Sequence, residues 1–466
     1  MRKLLSKTTA LAVLTLTLAF GGAVNAEKIT VDSSNFPEEA IRKELEKKAD
    51  DDNVINTEDI DYLSIDDSVK SAAGLEKLTS LEKLYLYKYE GEDFTLDSSS
   101  LSSLTITSET VKSLTVNAPS VKILYVSGGN NLQTLDVSAE IALKKLKISG
   151  DVLTTVKGYD KLGKLDTLSV TGTLIDKVDA GEFPALESLY LSSMKKLASL
   201  DVSKLSFLDS LTVYETELKE LDASACTELK NLTCQANKLT SIKVPNGVEE
   251  IYCSDNKLTS INIPSSAKYV ECSRNKLTSI DVSKCKNLIT LAVSDNKLKK
   301  INVKNNSKLN TLMINGNKNI TSVDISKNKK LSFINVGCTG IKKLDTTKCG
   351  NKLSGIYCYN TKISSLNISK NKKLSSISYY GSKIKKLDLS KYSYMGAYYE
   401  AKRGAKINLK NFIGTGYKVG SKSKNVKYDS KTGVITVSKK AKKNYFEYVS
   451  LTKGKKTFWA SILVTK

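Results

Sequence analysis

The chain has 466 residues, of which 72 are lysine or arginine, 49 are aspartate or glutamate and none is histidine. The lack of histidine removes the commonest general base and the commonest transition-metal ligand. It also removes every serine or cysteine nucleophile that depends on a histidine partner. A histidine-dependent hydrolase or metalloenzyme is therefore excluded.

The positive charge is concentrated at one end of the chain. Residues 27–100 hold 9 basic and 20 acidic residues, residues 101–229 hold 13 and 17, and residues 230–466 hold 47 and 12. An elongated molecule with this charge distribution would bind a polyanionic surface with its basic end facing that surface. High solubility is the alternative explanation of the same charge.

Residues 1–26 have the three parts of a secretory signal peptide. Arg2, Lys3 and Lys7 precede an apolar run from Leu11 to Phe20, and small residues lead to Ala26. The apolar run is too short to anchor the chain in a bilayer, and no later segment is apolar for long enough. We therefore expect cleavage after Ala26 and a secreted, extracellular protein without membrane insertion, either free or associated with the cell wall.

Residues 27–62 are expected to form an N-terminal helical cap. Pro37 and two acids follow Asn35 as at a helix start, and the helix is predicted to run to about Lys48. Residues 50–60 then resemble a degraded calcium loop. Lys48 would occupy its first ligand position and no glycine supplies its sharp turn. The sequence therefore predicts a polar helix–loop–helix cap and no metal site.

A motif of about 20 residues repeats along most of the remaining chain. Its clearest copy reads Leu229-x-x-Leu232-x-Cys234-x-x-Asn237-x-Leu239-x-x-Ile242-x-Val244. Residues equivalent to Leu232 recur at spacings of 19 to 22, namely Leu84, Leu104, Leu124, Leu146, Leu168, Leu189, Leu211, Leu232, Ile251, Val270, Leu291, Leu312, Ile334, Ile356 and Ile377. One such coil cannot bury its apolar face alone, so the coils must stack around a continuous core.

The motif resembles that of the leucine-rich-repeat family, and the chain as a whole resembles internalin-like and related surface proteins of Gram-positive bacteria. The resemblance implies a solenoid over residues 63–400 and ligand binding, most often to proteins, without naming the ligand. Coils this short leave no room for a helix on the second side, where a further alternating run such as Ile242-x-Val244 predicts extended chain. We thus expect a mainly β stack of about 15–17 coils with low curvature, in which Leu63 begins a front coil and Tyr398 ends the last.

Residues 401–466 leave the repeat period and are predicted to form a small C-terminal β-domain. Short alternating runs separated by turns predict strands at 406–409, 426–428, 434–437, 445–451 and 458–464. Trp459, the single tryptophan, is expected to pack in the core of this domain rather than against a ligand.

Most of the eight cysteines occupy repeat positions. Four of them take the inward apolar position of the motif and are interpreted as small buried hydrophobes: Cys234, Cys253, Cys272 and Cys358. Three more share a second slot: Cys226, Cys285 and Cys349. Neighbouring coils would lie within reach of a disulfide, so cross-linking stays open, whereas no C-x-x-C pair supports a metal site.

Two polar residue types recur at the turn after the first strand of the coil. Asn237, Asn256, Asn275, Asn296 and Asn317 are predicted to stack as a ladder that hydrogen-bonds the backbone of adjacent coils. The residue after each is a lysine: Lys238, Lys257, Lys276, Lys297 and Lys318. Like charges one coil apart repel one another, and an anionic partner would relieve this repulsion. We therefore predict that these lysines bind a polyanion.

The outward positions of the first strands carry many tyrosines among serines and threonines. Ten of them are predicted to contact a ligand: Tyr85, Tyr87, Tyr125, Tyr190, Tyr214, Tyr252, Tyr269, Tyr357, Tyr359 and Tyr380. A phenol ring gives a large contact area at small entropic cost, and neighbouring hydroxyls add adaptable hydrogen bonds. The alternative is that tyrosine simply suits an exposed strand.

These observations favour a secreted or wall-associated binding protein without catalytic residues or cofactors. Its strand surface would engage a protein or glycan, and its basic half would adhere to an anionic polymer such as one of the cell wall. Nucleic acid fits the charge but not the export route. One alternative is a structural matrix or spacer protein. The other is a β-helix polysaccharide-active enzyme, which would need a loop-walled cleft with clustered acids that these uniform coils do not predict.

Overall fold

The computed structural model describes residues 27–349 and 351–465, so the predicted signal peptide lies outside the described residues. The chain forms a mainly β solenoid in which each coil contributes one strand to a continuous parallel sheet on its first side. These first-side strands are Tyr62–Ile65, Lys83–Tyr89, Ser103–Ser108, Ile123–Ser127, Lys145–Ser149, Thr167–Thr171, Ser188–Ser192, Ser210–Tyr214, Asn231–Thr233, Glu250–Tyr252, Tyr269–Glu271, Thr290–Ala292, Thr311–Met313, Phe333–Asn335, Gly355–Tyr357 and Ser376–Ser378.

The register of this sheet follows the repeat. Leu84 pairs with Leu63 on one side and Leu104 on the other, and the equivalent residues stay aligned as far as Ile377. Because strand side chains alternate between two faces, this register points every such leucine or isoleucine inward. All of them are buried, which confirms the predicted leucine-rich-repeat solenoid and its front coil at Leu63.

The second side of the coils carries fewer strands. Hydrogen-bonded strands occur at Asp93–Asp97, Ser113–Asn117, Thr134–Asp136 and Thr155–Lys157, and again at Glu220–Asp222 and Ser241–Lys243. Between residues 244 and 349 the second side has none. There the turn is closed locally, because Asp281 and Asp324 each accept a hydrogen bond from the backbone N–H two residues later. Paired strands on the predicted extended second side therefore occur as far as Lys243.

The N-terminal cap differs from the predicted helix–loop–helix. Helix Glu39–Glu46 is followed by strand Val54–Asn56, which pairs antiparallel with Lys28–Thr30, and by the short 3-10 turn Thr57–Asp59. Ile55 is buried at the centre of this hairpin. Its alternation with exposed neighbours suits a strand, so the second helix is absent from the cap. Further 3-10 turns lie in the coils at Leu75–Lys77, Tyr159–Lys161 and Ala180–Glu182.

The first-side sheet continues without a break into the C-terminal residues. Strand Tyr394–Lys402 pairs parallel with Lys456–Thr465, which pairs antiparallel with Phe446–Lys453, and Lys418–Lys422 forms the edge. A separate antiparallel sheet contains Lys406–Asn408, Val434–Val437 and Val426–Asp429, beside the four-residue helix Lys410–Ile413. The predicted small β-domain is confirmed, as an extension of the solenoid sheet.

Two expectations about individual residues are wrong. Ala397, not Tyr398, pairs with Ile377, so Tyr398 is shifted by one position onto the outward surface. Trp459 also lies outward, half-buried between the inward-facing Phe458 and Ala460. In both cases the alternation of the strand decides which residue points inward. The inward residue is Ala397 beside Tyr398, and the inward residues beside Trp459 are Phe458 and Ala460.

Candidate ligand-binding face

The outward surface of the first-side sheet, here called the strand face, carries all ten tyrosines selected from the sequence. Tyr87, Tyr125 and Tyr190 are exposed, with 39 to 48 % of their surface accessible. The other seven are half-buried: Tyr85, Tyr214, Tyr252, Tyr269, Tyr357, Tyr359 and Tyr380. The structure therefore places every one of these rings where a ligand can reach it.

In the acidic half of the molecule these tyrosines are spread out. The rings of Tyr85 and Tyr87 stack with their centroids 6.1 Å apart at the front end. Farther along, Tyr125 and Tyr190 stand apart from other rings, beside outward residues such as Ser127 and Ser169. This part of the strand face is a hydroxyl-rich surface with single phenol rings.

In the basic half the rings come together. Six of them lie on neighbouring strands, four in one chain of ring contacts and two as a pair beside it, and are here called the aromatic platform: Tyr359, Tyr380, Tyr398, Phe446, Tyr448 and Trp459. The ring centroids are separated by 5.2 Å from Tyr359 to Tyr380, 5.7 Å from Tyr380 to Tyr398 and 5.9 Å from Tyr398 to Phe446. Tyr448 and Trp459 lie 5.9 Å apart on the neighbouring strands of the C-terminal domain.

Glycines make room for the rings beside this platform. A Cβ atom on Gly337 would lie 2.4 Å from the ring of Tyr359, and one on Gly355 would lie 2.5 Å from the ring of Phe333. The ring of Phe333 also contacts Tyr357 at a centroid distance of 5.1 Å. The rings of Tyr359 and Phe333 therefore occupy the space that a side chain at these glycines would fill, which restricts their positions.

Four phenols of this face, Tyr252, Tyr359, Tyr380 and Tyr398, have a raised pKa that favours their neutral form. Burial raises the pKa of Tyr359 and of Tyr398. The pKa of Tyr380 is raised by burial and then by its hydrogen bond to Glu400, and burial followed by the hydrogen bond to Glu250 raises that of Tyr252 to about 12. A neutral phenol can both donate and accept a hydrogen bond.

Sequence reasoning missed five rings of this surface: Phe333, Tyr398, Phe446, Tyr448 and Trp459. The alternation of Phe446 and Tyr448 with buried Glu447 and Val449 carried a usable signal. This alternation identifies a shared surface only if the C-terminal strands are known to lie in the same sheet as the repeats. The sequence does not reveal that pairing, because the repeat ends before these strands.

The asparagine ladder forms as predicted and fixes the turn beside the strand face. The side-chain amide of Asn275 donates to the carbonyl oxygens of Cys253, Cys272 and Ser273 at 2.9 to 3.3 Å. Its Oδ1 accepts the backbone N–H of Leu258 at 3.0 Å. One side chain thus bonds four backbone groups on two coils, and the carbonyls of Cys253 and Cys272 also accept the amides of the neighbouring ladder residues Asn256 and Asn296.

The lysines that follow the ladder are all exposed. Lys238 forms an ion pair with Glu217. Among the described residues, Lys257, Lys276, Lys297 and Lys318 have no ion-pair partner. Because consecutive first-side strands pair directly, the row advances by one strand spacing, about 5 Å, per lysine. The predicted row of like charges, here called the lysine row, is therefore present along one edge of the strand face.

The cysteines of the inward position also stack. Cys234, Cys253 and Cys272 are buried on consecutive coils, and the Sγ atoms of Cys253 and Cys272 lie 2.7 Å apart. Burial raises the pKa of Cys234, and the contact with Cys272 together with burial raises the pKa of Cys253. All eight cysteines are free thiols in this structure. Buried neutral thiols of this kind are poor nucleophiles and act as core residues.

A groove of about 650 Å³ lies on the second side, and carboxylates and lysines are among the residues that line it. Two of its acids are held in the ionised form. Lys243 and then Ser224 lower the pKa of Asp222 to about 2, and hydrogen bonds from Ser203 lower that of Asp201. Lys177 lies 3.3 Å from Asp179. A general acid must hold a proton near neutral pH, and the lowered pKa values of Asp201 and Asp222 oppose this.

The described part of the chain has no helix long and apolar enough to span a bilayer. No protein-family model matches the sequence, and no curated protein matches it either.

Solved structures with the same fold are found among bacterial proteins. The functional domain of InlJ from Listeria monocytogenes, described as including a cysteine ladder, is 23 % identical with a TM-score of 0.65, over 94 % of this chain and 99 % of that one. YopM from Yersinia enterocolitica is 18 % identical with a TM-score of 0.60, over 77 % and 79 %.

The internalin InlF from Listeria monocytogenes is 22 % identical with a TM-score of 0.52, over 69 % of this chain and 95 % of that one. These likenesses concern the fold, and they agree with the register and burial of the repeat positions. The chain is an internalin-like leucine-rich-repeat solenoid in its fold.

Proposed function

We propose that the protein is a secreted or wall-associated binding protein without catalytic activity. Its strand face would engage a protein or a glycan, and its basic half would adhere to an anionic polymer, for example one of the cell wall. The observation that carries this proposal is the strand face itself, where ten tyrosines and many hydroxyls point outward from one rigid sheet.

The rigidity of this face supports a binding role. The inward residues are buried in one continuous core, and the asparagine ladder closes the adjoining turns. The outward side chains therefore start from fixed backbone positions, which lowers the entropic cost of ordering them in a complex. Tyrosine adds contact area and a hydrogen-bonding hydroxyl at the same position.

Adhesion to a polyanion is supported by the lysine row. Four adjacent lysines without carboxylate partners repel one another at low ionic strength, and a chain of negative groups running along the row would remove this repulsion. Secretion is supported by the predicted signal peptide. The absence of histidine from the whole chain and the paired state of the groove carboxylates argue against hydrolysis.

A binding array with two salt concentrations tests this function. The mature chain is applied to immobilised host proteins, neutral glycans, wall polymers and polyuronates at about 0.05 M and about 0.5 M NaCl. We expect two classes of ligand. Binding through the strand face should survive high salt, whereas binding through the lysine row should be lost.

Matched variants assign each class to its surface. Tyr125→Ser with Tyr190→Ser should weaken a salt-resistant ligand of the front strand face, and Lys276→Gln with Lys297→Gln should weaken only salt-sensitive ligands. Binding that is wholly lost at high salt for every ligand would contradict recognition by the strand face and favour a matrix or spacer role. Turnover of a polyuronate would contradict the non-catalytic assignment.

A further inference from the structure

The aromatic platform is a second kind of surface on the strand face, at its C-terminal end. It begins on the last coils with Tyr359 and Tyr380 and continues onto three strands of the C-terminal domain. From Tyr359 through Tyr380 and Tyr398 to Phe446, successive ring centroids lie 5.2 to 5.9 Å apart. Tyr448 lies two residues after Phe446 on the same strand, and its ring centroid is 5.9 Å from that of Trp459. No repeat requires the three rings of the domain, which lie outside the leucine-rich pattern.

This surface is kept free of positive charge in the most basic part of the chain. Residues 230–466 contain 47 lysines and arginines. The outward positions aligned with Phe333, Tyr357 and Tyr359 on the neighbouring strands hold serine, glycine, asparagine, leucine, aromatic residues and one glutamate, but no lysine or arginine. A polyanion would gain nothing from contact here, so the platform suits an uncharged ligand.

The groups around the rings are those that bind sugar hydroxyls. Ser376 and Ser461 are partly accessible on the same face, and Glu400 is exposed beside Tyr380. The ring of Phe333 covers Gly355, and Gly396 adds no side chain on the far side of Ser376. A pyranose ring has an apolar face that stacks on an aromatic ring and a rim of hydroxyls that needs donors and acceptors. Rings that follow one another at 5.2 to 5.9 Å across the strands match the repeat of an extended chain of such units.

We propose that the aromatic platform binds an uncharged, extended glycan. Successive pyranose rings stack on the platform rings, and the hydroxyls of the sugar hydrogen-bond Ser376, Ser461 and Glu400. This inference rests on the proposed binding function and narrows it to one end of the strand face and one class of ligand. A protein interface of this kind would normally add arginine to its aromatic centre, and none is present at the aligned positions.

The single tryptophan provides a direct readout. Trp459 belongs to the platform, so its fluorescence reports only on this end of the molecule. The probes are β-1,4-linked oligomers of N-acetylglucosamine and of glucose, one to six units long. We expect a saturable change in Trp459 fluorescence, an affinity that rises with oligomer length, and no loss of affinity between about 0.05 M and 0.5 M NaCl.

Substitutions within the platform assign the binding to its rings. Tyr398→Ala and Phe446→Ala should each lower the affinity for the longest bound oligomer by about tenfold. Tyr398→Phe keeps the ring and should retain nearly wild-type affinity. Phe207→Ala removes an exposed aromatic ring in a turn outside the strand face, and as the matched control it should leave oligomer binding unchanged. Thermal melting of each variant checks that it is folded. Trp459→Phe has no tryptophan fluorescence, so calorimetry measures its binding of the oligomers.

Three results would overturn the inference. One is the absence of both a fluorescence change and heat with every oligomer up to about 10 mM. Another is binding that Tyr398→Ala leaves intact in a folded variant. The third is a protein ligand that occupies the platform while no oligosaccharide binds. In that case the glycan inference fails and the proposed binding function still stands. Recognition by the strand face fails when the array yields no salt-resistant ligand of any class.

Discussion

The front coils, residues 63–229, and the rear coils, residues 230–400, share one inward pattern but differ in almost everything around it. In the rear, asparagines fill the turn position from Asn237 to Asn317 and hydrogen-bond two coils each. The equivalent front positions vary and include Gly129, Thr173 and Met194, and the hydroxyl of Thr173 is buried without a partner. The buried columns alone therefore suffice to stack coils, and the turn can be closed in several ways.

The outward residues differ in the same manner. Front tyrosines such as Tyr125 stand singly among small hydroxyl residues, whereas rear tyrosines such as Tyr380 pack against other rings. The lysine row also belongs to the rear coils. Because the inward columns carry the fold, the outward positions of each region are free to specialise, and two different surfaces arise on one sheet.

The largest difference between the regions should come from the asparagine ladder. Asn275→Ala leaves the buried N–H of Leu258 without a partner and removes one of the donors to the carbonyls of Cys253 and Cys272, which should lower the free energy of unfolding by about 3 kcal/mol. Urea unfolding followed by circular dichroism measures the loss. Asn246→Ala, on an exposed turn where the side chain makes no hydrogen bond among the described residues, is the control and should cost less than about 0.5 kcal/mol. Equal losses in the two variants would contradict the ladder's structural role.

A buried acid gives the front coils a pH dependence of their own. Glu140 is buried, accepts the N–H of Ala118 with one oxygen and has no partner for the other. Burial raises its pKa from 4.5 to about 7. The folded state therefore binds the proton more tightly than the unfolded state, and the stability present below pH 4.5 is lost as the pH rises through 7.

Glu140→Gln should remove this loss. Relative to the wild type, the variant should gain about 3 kcal/mol between pH 4.5 and pH 8, measured by urea unfolding across that range. Glu228→Gln, an exposed acid of the same region, serves as the control and should follow the wild-type curve. A curve for the Glu140→Gln variant that runs parallel to the wild type would show that the carboxyl stays ionised when folded.

Ring packing should make the rear tyrosines contribute more to stability than the front ones. Tyr380→Ala removes a ring packed between Tyr359 and Tyr398 and bonded to Glu400, at an expected cost of about 1.5 kcal/mol. Tyr125→Ala removes an exposed ring and should cost less than about 0.5 kcal/mol. Thermal melting compares the two directly, and a larger loss at Tyr125 would reverse the comparison.

The smallest effect concerns the lysine row. Lys276→Gln with Lys297→Gln removes two adjacent like charges and should raise the free energy of unfolding by about 0.5 kcal/mol at low salt, with no gain at high salt. Lys144→Gln with Lys164→Gln in the front coils is the control pair and should give no gain. A gain that persists at high salt would mean that repulsion between these lysines is not its cause.

The sequence predicted the parts of this molecule that repeat. The inward leucines, the stacked cysteines and the asparagine ladder follow from spacing alone, because one register determines all of them. It could not predict what depends on contacts outside the repeat. The hairpin containing Ile55 needs the strand Lys28–Thr30, which lies more than twenty residues away.

The aromatic platform was missed for the same reason. The repeat spacing predicts an inward position at Tyr398, whereas the strand register gives that position to Ala397, and Trp459 lies outward between Phe458 and Ala460. Only the pairing of Tyr394–Lys402 with both Ser376–Ser378 and Lys456–Thr465 places these rings on one surface. Such parallel pairing across some sixty residues leaves no local pattern in a sequence.

Tyrosine nitration with tetranitromethane, followed by peptide mass spectrometry, tests most directly whether the phenols face outward from a closed core. The reagent needs an accessible phenol, and burial raises the pKa of Tyr379 and Tyr399 while their hydroxyls bond each other at 2.9 Å. We expect Tyr125 and Tyr190 to react first, the platform tyrosine Tyr380 more slowly, and Tyr379 and Tyr399 only after unfolding. Nitration of Tyr379 or Tyr399 in the folded protein as fast as that of Tyr125 would contradict the inward and outward assignment on which the binding face depends.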